Sequence, residues 1–105
     1  QYALAALYDS GFGVAGDPAQ VVQWYLRAAR QGLPQAMFNL GDMYRQGLGT
    51  EIDLVQAYLW WRLAGAAGMK GALNNLSLLA RAMSAAQINE AEALARAFRS
   101  KRETR

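Results

Sequence analysis

Residues 36–49 read AMFNLGDMYRQGLG, and the pattern they contain returns in this chain with a period of 36 residues. When residues 1–36 are laid over residues 37–72 without a gap, ten positions are identical. The identical pairs are Leu4/Leu40, Tyr8/Tyr44, Gly11/Gly47, Gly13/Gly49, Asp17/Asp53, Gln20/Gln56, Trp24/Trp60, Ala28/Ala64, Gly32/Gly68 and Ala36/Ala72. A third copy begins at Asn75 and Leu76 and then fades. A period in this range indicates stacked supersecondary units.

Each repeat contains two helical segments separated by a glycine turn. In the second copy, the apolar residues before Gly47 lie at helical spacing, and Gly47-Leu48-Gly49 ends the segment. Asp53 then precedes a second apolar run, which stops between Gly65 and Gly68. In the first copy the same pattern predicts helices over residues 2–10 and 18–31. No segment alternates with period two, so we expect an all-α fold.

The end of the chain departs from the repeat. We expect the first helix of a third repeat to run from about Leu73 to Met83. No glycine turn follows this segment, in contrast to the first two repeats. The segment Ser84–Gln87 has the pattern of a capping box and opens a last amphipathic helix. Because a solenoid must cover its final apolar face, this helix is predicted to be a C-terminal cap. We expect one domain, divided into repeat 1 (1–35), repeat 2 (36–71), a partial repeat 3 (72–83), and a capping helix with a basic tail (84–105).

The repeated motif resembles a known family. Its residues are Ala36-x-x-Asn39-Leu40-Gly41-x-x-Tyr44-x-x-Gly47-x-Gly49, followed by Asp53, Ala57, Trp60, Ala64 and Gly68. They are similar to the Sel-1-like repeat, a longer relative of the tetratricopeptide repeat, over nearly the whole chain. The first copy departs from the motif at Ala5 and Val21. The resemblance implies a right-handed α/α superhelix of antiparallel helix pairs. It also implies a bacterial adaptor in protein assemblies, often periplasmic or exported.

Composition excludes several classes of protein. Apolar residues make up 53% of the chain and charged residues 18%, which is typical of a folded domain. No apolar run approaches the roughly 20 residues that cross a bilayer, so we expect no transmembrane segment. The net charge of +3 arises in the tail, since residues 96–105 carry five basic side chains and Glu103. We interpret these positive charges as favourable to the helix dipole at its C-terminal end and to solubility. We therefore expect no nucleic-acid partner.

Catalytic residues are scarce. The chain has no His and no Cys, so the commonest general base, the commonest metal ligand and the thiol nucleophile are absent. The stretch Gly11–Gly16 spells the dinucleotide-binding pattern G-x-G-x-x-G, but a helix instead of a strand precedes it. We therefore predict no catalytic residues, no metal site and no cofactor, and we assign the glycines to the turn.

Aromatic residues that recur are expected to be structural. Trp24, Trp60, Tyr8 and Tyr44 return at the repeat period, and a residue needed in every unit usually packs the units together. We place these four in the core. Trp61 and Tyr58 do not recur in this way, so the pattern leaves their positions open.

A second face of the first helices is the candidate binding surface. By the helical step of about 100° per residue, it is separated from the core stripe. In the tetratricopeptide relatives the matching face lines a concave surface that holds peptides. Asn39 and its counterpart Asn75 fit two roles equally well: contact with a partner, or a hydrogen bond between neighbouring helices. The predicted partner-binding residues are Tyr2, Asp9, Gln35, Phe38, Asn39, Asp42, Arg45, Asn74 and Arg81.

The function predicted from these features is non-catalytic binding of a protein or an extended peptide. Two alternatives stay open. One is hydrolysis of cell-wall or β-lactam-like material, an activity claimed for cysteine-rich members of the family. The other is a structural spacer within a longer protein. Gln1 falls one place inside a repeat, so we expect a longer chain upstream, and self-association through the truncated N-terminal face remains open.

Overall fold

Five helices follow one another in the part of the chain that the computed structural model describes, residues 18–103. Each of the first four has 11 to 13 residues, and the last has 19. All the secondary structure described in this range is helical, which confirms the predicted fold class. The helices are α1 (Pro18–Arg30), α2 (Pro34–Gln46), α3 (Leu54–Ala66), α4 (Lys70–Ala80) and α5 (Ala85–Glu103).

Helices pack in the order expected of a repeat. The main interfaces join α1 to α2, α2 to α3, α3 to α4 and α3 to α5. Helices α2 and α3 are therefore the pair of the second repeat, with α1 before them and α4 after them. Small residues at the contacts allow close approach, since Ala28, Ala36, Ala57 and Ala64 have no exposed surface. Helix α3 contacts α2, α4 and α5 and supplies more of the buried core residues than any other helix described.

The glycine turn after α2 explains why the motif contains two glycines. Gly47 has φ of 75°, and its amide donates to the carbonyl oxygen of Met43 over 2.8 Å, which is a left-handed helix end. Gly49 also has positive φ, and a β-carbon there would collide with the carbonyl group of Pro18 at the start of α1. The first glycine thus ends a helix, and the second allows contact with the preceding repeat. The first copy of the turn, Gly11–Gly16, lies outside the described residues.

Two predicted caps are present. The carboxylate of Asp53 accepts a hydrogen bond from the amide of Gln56 over 3.1 Å. Ser84 and Gln87 form a reciprocal capping box: the Ser84 amide donates to Gln87 Oε1 over 2.9 Å, and the Gln87 amide donates to Ser84 Oγ over 3.1 Å. These local bonds fix the starts of α3 and α5.

Helix α4 has other limits than those expected. It begins at Lys70 and ends at Ala80, whereas the sequence pattern suggested about Leu73 to Met83. At its end, the amides of Arg81, Ala82 and Met83 donate to carbonyl groups three residues earlier. Such bonds tighten the chain into turns instead of continuing the α-helix. Met83 is nevertheless buried against the core.

Helix α5 packs on α3. Ala91 and Ala95 are buried, and the ring of Phe98 packs edge-to-face on Trp60 with centroids 5.5 Å apart. Glu92 of α5 is half-buried. Its carboxylate accepts a 2.6 Å hydrogen bond from the Tyr58 hydroxyl and pairs with Arg62 at 3.3 Å, so its side chain turns back toward α3.

The aromatic residues divide into buried and half-buried groups. Trp60, Trp61 and Tyr58 are buried, which settles the positions of Trp61 and Tyr58. Trp24 and Tyr44 pack against the core but keep an exposed part, and the Arg27 guanidinium lies 5.5 Å from the centroid of Trp24. Tyr8 lies outside the described residues. The recurring aromatics are therefore structural wherever they are described, although they are buried to different extents.

Candidate functional site

A groove separates α2 from α4, and side chains of α3 form its floor. Its cavity has a volume of about 430 Å³. We call this the inter-repeat groove, since it lies between the first helices of two successive repeats. The residues that line it include Asp42 and Arg45 of α2, Trp61 of α3, and Asn75, Leu78 and Leu79 of α4.

Trp61 is placed in the floor by a glycine and a carbonyl group. Its indole Nε1 donates to the carbonyl oxygen of Phe38 over 2.9 Å. A β-carbon on Gly41 would lie 2.5 Å from Cδ1 and Nε1 of the indole, so only glycine at this position leaves room for the ring. Trp61 itself is 2% exposed. The motif glycine of α2 therefore has a packing role that sets the shape of the groove.

The charges of the groove compensate each other. Arg45 donates to the carboxylate of Asp42 over 3.0 Å, and Gln46 donates to its other oxygen over 2.6 Å. Both side chains of the ion pair remain well exposed to solvent. The apolar contribution comes chiefly from Leu78, which is 63% exposed. The groove thus combines apolar surface with a neutralised ion pair.

Asn39 is partly used within the protein. Its side-chain nitrogen donates to the hydroxyl of Tyr25 on α1 over 3.3 Å, and its oxygen lies 3.5 Å from Nε2 of Gln35. This is the hydrogen bond between neighbouring helices that the sequence left open. Phe38 is half-buried, with its ring centroid 6.2 Å from that of Trp61. Both residues therefore contribute to packing between helices.

The predicted site residues do not all meet in one place. Asp42 and Arg45 line the inter-repeat groove. Gln35, Asn74 and Arg81 are exposed and do not belong to the lining of this cavity. Tyr2 and Asp9 lie outside the described residues. The lining also includes six residues that the predicted set did not contain: Leu54, Trp61, Asn75, Leu78, Leu79 and Ala82.

The missed residues carried signals of different strength. Asn75 and Leu78 occupy the helical positions of Asn39 and Asp42 one repeat later, so the period could have identified them. The position of Trp61 depends on contacts with α2, which the sequence does not display. Outside the groove, burial, and then the charge of Asp53, raises the pKa of Tyr44 on α2.

A smaller cavity of about 250 Å³ lies between the ends of α3 and α5 and is lined by Met37, Leu63, Phe98 and Arg99, among others.

In the part of the chain that the structure describes, no three His, Cys, Asp or Glu side chains come together in a way that could hold a metal ion. No helix within the same residues is long and apolar enough to span a bilayer.

Residues 1–33 and 34–69 each match the family model of the Sel1 repeat. A solved protective antigen of uropathogenic Escherichia coli, c5321, which displays an SLR fold, aligns with a TM-score of 0.87 and 34% identity, covering 92% of this chain and 21% of that one. A Sel1 repeat protein of Oxalobacter formigenes aligns with a TM-score of 0.68 and 38% identity, covering 72% of this chain and 31% of that one.

A curated relative adds a comparison outside the bacteria. Chitin synthase regulatory factor 3 of Schizosaccharomyces pombe is 50% identical over 36 residues, which is 34% of this chain and 4% of the relative. The chain therefore spans only a small part of the length of each of these three proteins.

Proposed function

Because the chain belongs to the Sel1 repeat family, we propose that it is a non-catalytic adaptor that binds a protein or an extended peptide on the face shared by α2 and α4. Sel1 repeats are generally protein-interaction scaffolds. The observation that carries the proposal is the inter-repeat groove, a cavity of about 430 Å³ with apolar and polar groups side by side. Pockets of this size and mixed lining are typical of recognition sites.

The polar groups of the groove favour binding over catalysis. The Asp42 carboxylate accepts one hydrogen bond on each oxygen, from Arg45 and from Gln46. Among the described residues that line the groove there is no second carboxylate, His, Cys or Ser with which it could form an acid–base or nucleophile pair. With this arrangement the carboxylate is held as a structural acceptor, which suits a surface that positions a partner.

The names of two relatives are consistent with a role exerted through partners. The fungal relative is a regulatory factor for chitin synthase, and the E. coli protein is a protective antigen. Neither name denotes a reaction. From these names we infer only the general role of an adaptor. We further propose that a longer partner also contacts four predicted residues beside the groove: Gln35, Phe38, Asn74 and Arg81.

Selection from a random peptide library displayed on phage tests the proposal. The domain is immobilised, enriched peptides are synthesised, and each is titrated into ¹⁵N-labelled protein. We expect shifts of the backbone amides of Asp42, Arg45, Asn75 and Leu78. Absence of enrichment, or shifts confined to α5, would contradict binding at this face and would favour a spacer.

A matched pair of variants locates the surface. Leu78→Glu places a charge in the groove and is expected to abolish peptide binding. Leu94→Glu places the same charge on α5, where Leu94 is 37% exposed and lies outside the cavity lining, so binding should persist. Circular dichroism and urea unfolding verify that both variants keep the fold.

A further inference from the structure

We propose that the inter-repeat groove selects an uncharged, extended segment bearing one large apolar side chain, and that Asn75 hydrogen-bonds the backbone of that segment. The inference rests on the proposed function and specifies the chemistry of the partner. Three observations carry it: an amide with no hydrogen-bond partner among the described residues, a neutralised ion pair, and an exposed apolar side chain at the same cavity.

The free amide follows from a difference between two equivalent interfaces. Tyr25 and Asn39 are joined by a hydrogen bond across the interface of α1 and α2. One repeat later, the same positions hold Trp61 and Asn75. An indole offers a donor but no acceptor oxygen, and the Trp61 donor is already bonded to the carbonyl oxygen of Phe38. Asn75 therefore makes no side-chain hydrogen bond to the residues that the structure describes.

The position of this amide suits a peptide backbone. Asn75 is half-buried and lines the cavity beside Leu78 and Leu79. A primary amide both donates and accepts hydrogen bonds, so it can pair with the N–H and C=O groups that an extended segment presents. Since a polar group that loses water without gaining a partner costs free energy, a segment that supplies both groups is favoured over a purely apolar occupant.

The charge pattern selects against charged side chains. Asp42 and Arg45 neutralise each other at 3.0 Å. A charged side chain entering the cavity would lose hydration without meeting an uncompensated opposite charge. An apolar side chain would instead bury its surface chiefly against Leu78, the most exposed large apolar residue of the lining. The groove therefore fits an uncharged segment with an apolar anchor.

The experiment begins with peptides enriched by phage display, synthesised with both termini capped. The apolar anchor of each peptide is replaced by Ala, Glu or Lys, and affinities are measured by isothermal titration calorimetry. We expect each replacement to weaken binding by about tenfold or more, as for an apolar side chain lost from a buried site. A set of peptides that instead requires an acidic side chain or a free terminal carboxylate would overturn the inference while leaving the proposed function intact.

The role of Asn75 is tested with Asn75→Ala. The control is Asn89→Ala on α5, because Asn89 is exposed and does not line the groove. Asn75→Ala should weaken binding about three- to tenfold, and Asn89→Ala should not change it. Peptides N-methylated at the contacted peptide unit lose the N–H but keep the C=O, so Asn75→Ala should weaken their binding less than it weakens binding of the parent peptide. A full effect of Asn75→Ala on N-methylated peptides, or no effect on the parent, overturns the role of Asn75.

Two further outcomes separate the hypotheses. If no peptide is enriched, the proposed function fails, and the inference fails with it. If analytical ultracentrifugation shows a dimer that Leu78→Glu dissociates, the occupant of the groove is a second copy of this chain, which overturns the inference. Urea unfolding of Asn75→Ala, expected to match wild type, shows that any loss of affinity is not a loss of fold.

Discussion

The indole ring of Trp61 packs directly against Gly41. The indole of Trp61 lies where a side chain at Gly41 would begin, with a β-carbon position 2.5 Å from Cδ1 and Nε1. This relationship joins α2 to α3 and forms the floor of the inter-repeat groove. It also turns a glycine, which is usually unfavourable inside a helix, into a requirement of the packing.

We predict that Gly41→Ala destabilises the protein by about 1–3 kcal/mol, because the new methyl group displaces Trp61 and disturbs its hydrogen bond to Phe38. Urea unfolding measures the change. The control is Gly71→Ala on α4, where a β-carbon would lie 3.9 Å from Phe38, an ordinary contact. That variant should be stabilised by about 0.4–1 kcal/mol. Equal effects at both glycines would contradict the packing role of Gly41.

Equivalent asparagines should respond differently to the same change. Asn39→Ala removes the hydrogen bond to the Tyr25 hydroxyl, and we expect a loss of about 1 kcal/mol in unfolding free energy. Asn75→Ala removes no internal hydrogen bond, so its stability should stay within about 0.5 kcal/mol of wild type. Chemical denaturation of both variants checks this. A larger loss at Asn75 than at Asn39 would mean that the second interface has a bond of its own.

The contact of Phe98 with Trp60 should account for much of the attachment of α5. Phe98→Ala removes an edge-to-face ring contact and uncovers Trp60, which is 4% exposed. Because Phe98 is half-buried, we expect about 2 kcal/mol, less than for a fully buried phenylalanine. Thermal unfolding would follow it, with Arg96→Ala on the exposed face as the control. An unchanged melting temperature would show that α5 is held by other contacts.

Stability should fall at alkaline pH through Tyr58. Burial, followed by the hydrogen bond to Glu92, raises the pKa of Tyr58 from 10.0 to about 12. Below pH 10 the phenol is neutral in the folded and unfolded states, so its contribution is constant. Between pH 10 and 12 the unfolded chain ionises first, and the contribution is lost.

Unfolding free energies measured across this pH range should therefore decline less steeply in Tyr58→Phe than in wild type. A part of the slope will persist in the variant, because the pKa of Tyr44 is also raised by burial. Parallel curves for the two proteins would show that Tyr58 is not the group responsible.

Features that depend on neighbours in the chain could be predicted from the sequence. The period of 36 residues, the left-handed glycine after α2 and the caps at Asp53 and Ser84 are local. Each is determined within a few residues by backbone geometry and recurs wherever the motif recurs. The helical solenoid and its family follow from this repetition.

The candidate site could be predicted only in part, for a physical reason. The period placed Asp42 and Arg45 on the helix face that lines the inter-repeat groove, but it also suggested that Asn39 and Asn75 are alike. Their difference depends on contacts between helices. Asn39 donates to the hydroxyl of Tyr25, 14 positions away in the chain. The residue equivalent to Tyr25 in the next repeat is Trp61, and its indole N–H donates to the carbonyl oxygen of Phe38, 23 positions away. By itself the sequence determined the fold and its repeat. Only the tertiary structure decided which side chains are used in packing between helices and which remain accessible in the groove, because that depends on contacts between residues far apart in the chain.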